Sequence, residues 1–276
     1  MHDRVRRLIA LTRLVTARPH GEESLHALAA RLGVAKSTLS EDVGVVREAL
    51  LEAGLGRVET QVGPGGGIRF QPQLDEDQVV GAVKAWCEAL ARPERMTGNG
   101  FLYMTDLLFD PRLVDPLAQL LAERLRPLNP QYVVTVETKG IPLALAVGRE
   151  TGVPVVLIRR DNRLSEGSSL SINYLSGSSH RIQSMSLARR SPVRDAPVVF
   201  VDDFLKAGGT ARAAADLLGE LNAQILGVGV LVATAQPSPK LIDGISSCLI
   251  WDDGGQVMPA PWVAERLGLA ASTEAR

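Results

Sequence analysis

Residues 198–211, VVFVDDFLKAGGTA, restrict the possible fold of this chain more than any other stretch. A four-residue apolar run meets two carboxylates, Asp202 and Asp203. A loop with Gly208 and Gly209 follows, and Thr210 opens a helix-forming run. A continuous apolar run is the pattern of a strand buried on both faces, as in a parallel sheet. In open parallel sheets ligands bind beyond the carboxyl ends of the strands, which is where these acids fall. Amides at the start of the Thr210 helix would cradle a phosphate, aided by the helix dipole. Gly208 and Gly209 would let the backbone approach it closely. Asp202 and Asp203 could then accept hydrogen bonds from sugar hydroxyls, or hold a phosphate-bound Mg²⁺ through water. An ordinary strand-to-helix turn, with Asp as a turn former, rarely combines two adjacent acids after a buried strand with a Gly-Gly-Thr cradle.

From Tyr132 onward the sequence has the rhythm that such a sheet requires. YVVTVE, VPVVLIRR, VVFVDDF and ILGVGVLVATA read as strands, with GIPLALAVGRETG and TARAAADLLGELN as helices. This alternation predicts an α/β domain with a parallel sheet covered on both faces. Thr138, Lys139 and Gly140 follow the first of these strands, and Arg159 and Arg160 end the second, so all five belong at the ligand edge. One of the two arginines could pair with pyrophosphate oxygens and the other be only solvated. Residues 162–183 contain seven Ser and two Gly and read as a hairpin loop, either closing over the site or static on the surface. Before the domain's strands, helices are expected at 77–91 and 111–126. A loop or short strand is expected at 97–106, its aromatics serving packing or dimer contact rather than a ligand. Residues 255–276 are weakly patterned, and the last six are expected to fray.

The N-terminal quarter follows a different period. Val5, Leu8, Ile9, Leu11, Leu14 and Val15 share one helical face; Ser24 precedes a short helix ending at Gly33; Leu39, Val43, Val46 and Leu50 mark a third helix running to about Gly54. Ser37 is a candidate N-cap for that helix, with Glu41 and Asp42 near its positive end. A helix, a Gly-centred turn and a second helix opening on small polar residues is the helix-turn-helix pattern. RVETQV, then Pro64-Gly65-Gly66-Gly67, then Ile68-Arg69-Phe70 reads as a hairpin wing. On this reading Lys36, Ser37, Thr38 and Ser40 meet the DNA groove, and Arg4, Arg6, Arg7, Arg57 and Arg69 meet phosphates. A small helical domain without a DNA role is the plainer alternative.

With 276 residues, the chain has room for a winged helix-turn-helix domain at 1–74 and an α/β domain at 75–276, joined through the polar QPQLDE. Its net charge of −1 at first argues against nucleic-acid binding. The charge is uneven, however: residues 1–36 hold seven Lys/Arg against three acids, and residues 159–194 hold seven against two. Two cysteines, neither in a CxxC pair, fit a reducing cytoplasm and make no zinc site with four scattered His. No apolar run is long enough to span a bilayer. The basic, partly apolar N-terminus is interrupted by Arg13 and Arg18 and lacks the cleavage site of a signal peptide.

The 198–211 segment resembles the phosphoribosyl-pyrophosphate signature of type I phosphoribosyltransferases. That resemblance implies that Asp202 and Asp203 contact ribose hydroxyls and that Phe204, Lys206, Ala207, Gly208, Gly209 and Thr210 wrap the 5′-phosphate. It implies further that the Thr138–Gly140 turn binds pyrophosphate through its amides, with Lys139 and Arg160 as cations. Joined to a winged helix, and with KSTLSEDV, GPGGGIRF, LARPER, VETKGIPLA, IRRDN, EGSSLSINYLSGSSHRIQSMSLARRS and VVFVDDFLKAGGT, the chain resembles the bacterial purine operon repressors over nearly its whole length. This implies a homodimeric, cytoplasmic repressor of purine synthesis genes. Its operator DNA would be released by phosphoribosyl pyrophosphate, with or without Mg²⁺, and guanosine tetraphosphate would compete for the same pocket. No further cofactor, metal or membrane is implied. Related 6-oxopurine enzymes carry an acid where this chain has Lys206, which argues for sensing without turnover. Other catalytic relatives carry Ala there, so a working purine phosphoribosyltransferase with an accessory N-terminal domain is the rival. A dead enzyme fold carrying a domain that does not bind DNA is a third reading.

Overall fold

The computed structural model describes residues 2–61, 67–97, 101–160, 167–175, 182–252 and 254–269. The chain divides into two compact units. One is Met1–Asp75 with Arg149–Gly152, and the other is Glu76–Gly148 with Val153–Arg276.

The first unit contains α1 (His2–Thr16), β1 (Glu22–Ser24), α2 (Leu25–Leu32), α3 (Lys36–Glu52), β2 (Gly56–Gln61) and β3 (Gly67–Pro72). Leu39, Val43, Val46 and Leu50 all turn inward on α3, as their spacing requires, and pack with Leu11, Val15, Leu28, Val58, Ile68 and Phe70. Ser24 caps α2, accepting from the Ala27 amide at 3.4 Å. At α3 the expected cap shifts: the helix starts at Lys36, Ala35 occupies the cap without a side-chain bond, and Ser37 lies inside the first turn. The three-residue β1, too short to show a period in sequence, adds to β3 and gives the order β1-β3-β2. The wing turn at 62–66 lies outside the described residues.

The second unit opens with α4 (Glu76–Leu90), the two-residue strands β4 (Met96–Thr97) and β5 (Phe101–Leu102), α5 (Thr105–Leu108) and α6 (Pro111–Leu125). Then come β6 (Tyr132–Val136), α7 (Ile141–Thr151), β7 (Val155–Ile158), β8 (Ser169–Leu175), β9 (Ile182–Ala188), β10 (Pro197–Leu205), α8 (Gly209–Gly219), β11 (Gln224–Thr234), β12 (Ile245–Trp251), β13 (Val257–Pro259) and α9 (Pro261–Arg266). The main sheet runs β13-β12-β11-β10-β6-β7, with all neighbours parallel except β13 on β12. Both faces are covered. Val228 and Val230 of β11 join the cluster of Leu217 and Leu218 from α8, while Gly229 between them meets Leu121 and Leu125 of α6. The sequence pattern did not reveal β12, β13 or α9. They anchor the C-terminal end through the Trp262 indole, which donates to Ser247 O at 2.7 Å, and through Arg266, which pairs with Glu76 and Glu123. No helix among the described residues is long and apolar enough to cross a membrane.

Candidate functional site

The central strand β10 does not stop at its acids: it runs through Asp202 and Asp203 to Leu205, paired with β11 throughout. The two carboxylates therefore sit on rigid strand rather than on a loop. Their neighbourhoods differ. Asp202 is buried and accepts from the Asp203 amide at 2.9 Å, whereas Asp203 is half-exposed. Burial first, and then the adjoining Asp203 carboxylate, push Asp202 well above the usual carboxylate range.

Past Leu205 the chain curls through Lys206, Ala207 and Gly208 into α8. Gly208 caps that helix in the left-handed region at φ 86° and offers no side-chain bond, so the first α8 amides remain open to an anion. The loop is held from behind. The Leu241 amide donates to Ala207 O at 2.9 Å, and the Thr234 hydroxyl lies 3.3 Å from Lys206 O.

On the neighbouring strand, β6 ends in the turn Glu137–Gly140, whose Glu137–Thr138 peptide is cis. Gly140 is packed so tightly that a Cβ there would lie 2.6 Å from Asp202 Oδ1 and would also collide with the buried Thr135 hydroxyl, which has no hydrogen-bond partner among the described residues. Gly140→Ala is therefore expected to displace the acid pair or the turn, at a cost of about 1–3 kcal/mol. Denaturant unfolding checks this, and an unchanged midpoint would mean that the turn has room.

These pieces enclose one cavity of about 430 Å³. Of the sequence-predicted effector residues, Thr138, Lys139, Arg160, Asp202, Asp203, Phe204, Lys206, Ala207, Gly208, Gly209 and Thr210 all line it, while Gly140 supports it from beneath. The two strand-end arginines part company. Arg160 faces the cavity, and Arg159 lies 3.7 Å from Glu137 and bridges its backbone to Ser186. Sequence reasoning missed several lining residues, Glu137, Gln183, Leu102 and Met104 among them. Glu137 accepts from the Arg160 amide at 2.6 Å, Gln183 reaches in from the β8–β9 hairpin, and Leu102 and Met104 supply an apolar wall. These last two belong to the 97–106 segment, of which sequence reading gives only the aromatics a role, as packing or dimer contacts. Residues 161–166 and 176–181, including Arg181, lie outside the described residues. Among those described, no cluster of His, Cys, Asp and Glu has the arrangement of a metal site.

In the first unit Lys36, Ser37 and Ser40 are exposed on the opening turns of α3, and Thr38 is half-exposed. Arg6 and Arg57 are also exposed. Other proposed phosphate contacts are already engaged: Arg7 and Arg4 donate to Asp42 at 2.5 and 3.2 Å, and Arg69 pairs with Glu22 at 2.5 Å. Asp42, read from sequence as a dipole-facing acid, is instead buried beneath α1. Burial opposes its ionisation, but hydrogen bonds from Arg7 and Arg4 outweigh that and hold its carboxyl below the usual range.

Comparison with known proteins agrees with this two-part construction. Residues 3–72 match the family described as bacterial purine repressor, N-terminal, and residues 104–261 match the phosphoribosyl transferase domain. The purine biosynthesis transcriptional repressor PurR of Bacillus subtilis is 40% identical over 243 residues, covering 88% of this chain and 85% of that protein. The purine biosynthesis transcriptional activator PurR of Lactococcus lactis subsp. lactis is 33% identical, covering 88% and 90%. Among solved structures, adenine phosphoribosyl transferase from Trypanosoma brucei superposes with a TM-score of 0.50 at 16% identity, over 70% of this chain and 86% of that one, a likeness of fold. With a repressor-type N-terminal domain, a phosphoribosyltransferase-type α/β domain and end-to-end similarity to these regulators, the chain belongs to the bacterial purine repressor family.

Proposed function

We propose that this protein is a homodimeric, cytoplasmic transcriptional repressor of purine biosynthesis genes whose operator binding is relieved by phosphoribosyl pyrophosphate. The observation that carries the reading is a single cavity joining three kinds of group. It holds an acid pair suited to ribose hydroxyls, the open amides of α8 suited to a 5′-phosphate, and Lys139 and Arg160 suited to pyrophosphate. All three sit in a chain whose N-terminal domain is of the repressor type. Lys206, in the phosphate loop, adds positive charge rather than a base, which supports binding without turnover and would let guanosine tetraphosphate compete. Mg²⁺ would reach the site with the ligand's phosphates, near Asp202 and Asp203, and would neutralise part of their charge.

A mobility shift on operator DNA with and without phosphoribosyl pyrophosphate tests the reading. The ligand is expected to weaken DNA binding, and linkage requires operator DNA to weaken ligand binding by the same factor. Equal ligand affinity with and without operator would sink this mechanism. Since one relative is named an activator, reporter expression in cells fixes the sign of control. Operator affinity is expected to fall by about 10³-fold between 50 and 200 mM salt if the dimer makes six or more phosphate contacts. A flat salt response would point to a domain that does not bind DNA. Pyrophosphate release from phosphoribosyl pyrophosphate with guanine, xanthine, hypoxanthine or adenine would identify the protein as an enzyme instead.

A further inference from the structure

The β8–β9 hairpin contributes to the cavity in a way that the acid pair and the phosphate loop do not explain. Tyr174 and Gln183 face each other directly across the hairpin. The Tyr174 hydroxyl donates to Gln183 Oε1 at 2.8 Å, and Arg160 donates to the same oxygen at 2.9 Å. Arg160 also donates through Nε to Glu137 O at 3.0 Å, and its own carbonyl accepts from the Ser184 hydroxyl at 3.1 Å.

A guanidinium has no acceptor, so the amide group facing Arg160 must be the oxygen. With that oxygen taken by two donors, Gln183 is left with the two hydrogens of Nε2 to offer, and among the described residues no acceptor for them is found. Gln183 lines the same cavity as Lys139 and Arg160 and touches Arg160. A side chain that can only donate, next to that cation, suits an anionic oxygen.

We infer that Gln183 is a further effector-binding residue that donates from Nε2 to a phosphate oxygen of the ligand. Tyr174 is the positioning residue that keeps the amide turned that way. The inference rests on the phosphate-binding reading of the cavity given above, and it makes the hairpin part of the ligand site rather than a cover over it.

Calorimetric titration of the full-length protein with inorganic pyrophosphate and with phosphoribosyl pyrophosphate tests it, at low salt and at 0.5 M salt. Gln183→Glu keeps an acceptor for both Arg160 and Tyr174 but removes the donor. Its affinity for both ligands is expected to fall about tenfold or more at either salt concentration, because a lost donor is not restored by screening. Tyr174→Phe is expected to cost less, about two- to fivefold, since Arg160 still orients the amide. If Gln183 merely braced Arg160, Gln183→Glu would strengthen that brace and leave affinity unchanged at high salt, and this outcome overturns the inference. A wild-type protein that binds neither ligand overturns the phosphate-site reading itself. A wild type that binds both, with Gln183→Glu equal to it, overturns only the role of Gln183.

Discussion

Asp203→Ala is expected to remove the response to phosphoribosyl pyrophosphate while leaving operator affinity within about twofold of wild type. Asp203 is half-exposed at the cavity, and its backbone amide, which truncation keeps, donates to Asp202, so removing the side chain leaves the β10 pairing intact. What is lost is the acceptor for ribose hydroxyls. Hydrogen bonds to a charged group contribute roughly 1.5–3 kcal/mol each, or about a 10- to 100-fold loss of ligand affinity. Removing the Asp203 charge also relieves its neighbour, so Asp202 ionises more readily in the variant. That change does not replace the missing contact, because Asp202 lines the cavity at its own position on β10. Titration of the variant with ligand and a mobility shift on operator DNA separate the two roles. If DNA binding is lost as well, effector and operator functions do not divide between the units as proposed.

Asp42→Ala is expected to destabilise the N-terminal unit by about 3 kcal/mol. Asp42 is 1% exposed and joins α3 to α1 through Arg7, 19% exposed, and Arg4, 56% exposed. Breaking a buried pair costs about 3–5 kcal/mol when a charge is stranded. Here the arginines can regain water, which puts Asp42→Ala near the lower end. Arg7→Gln would strand the carboxylate itself and should cost at least as much, while Arg4→Gln, at the exposed partner, should cost little. Since a loss of 1 kcal/mol lowers the melting temperature of a 60–100-residue domain by about 4–8 °C, calorimetry of the N-terminal transition resolves these differences. The pH dependence follows from the depressed carboxyl. The stabilisation by Asp42 is fully present above its unfolded value near 3.8 and is lost as pH falls through the lower folded value. In Asp42→Ala that part of the acid sensitivity should disappear. Operator binding should weaken wherever the N-terminal transition has begun, because α3 carries Lys36, Ser37, Thr38 and Ser40.

The parts of the site that could be read in advance are those whose chemistry is contiguous in the chain. Asp202 through Thr210 form one strand-loop-helix passage, and Thr138 through Gly140 form one turn, so their residue order already states their geometry. The α3 core positions were legible for the same reason: 39, 43, 46 and 50 fall on one face of any α-helix. The unread residues act across distance. Glu137 and Gln183 each meet Arg160 from 23 positions away, and Arg7 meets Asp42 from 35. No local period marks such pairs. Asp42 in particular reads as an acid favoured by the dipole near a helix start, and only the packing of α1 across α3 makes it a buried ion-pair partner. Leu102 and Met104 gave no signal because an apolar side chain reads alike against a core and against a cavity. β12 escaped because the polar Ser246 and Ser247 interrupt its apolar run.

By itself, then, the sequence determined the α/β architecture, the helix-turn-helix period and the acid-pair and phosphate-loop signature, since each is set by neighbours within one or two turns of chain. Tertiary structure alone decided which cations stay available. Arg160 turns to the cavity while Arg159 is engaged at Glu137, and Arg4 and Arg7 are drawn to Asp42 while Arg6 and Lys36 remain exposed. The net charge of −1 concealed that division. A charge is available to a ligand or to DNA only if no buried partner has claimed it, and partners separated by tens of residues are brought together only by the fold.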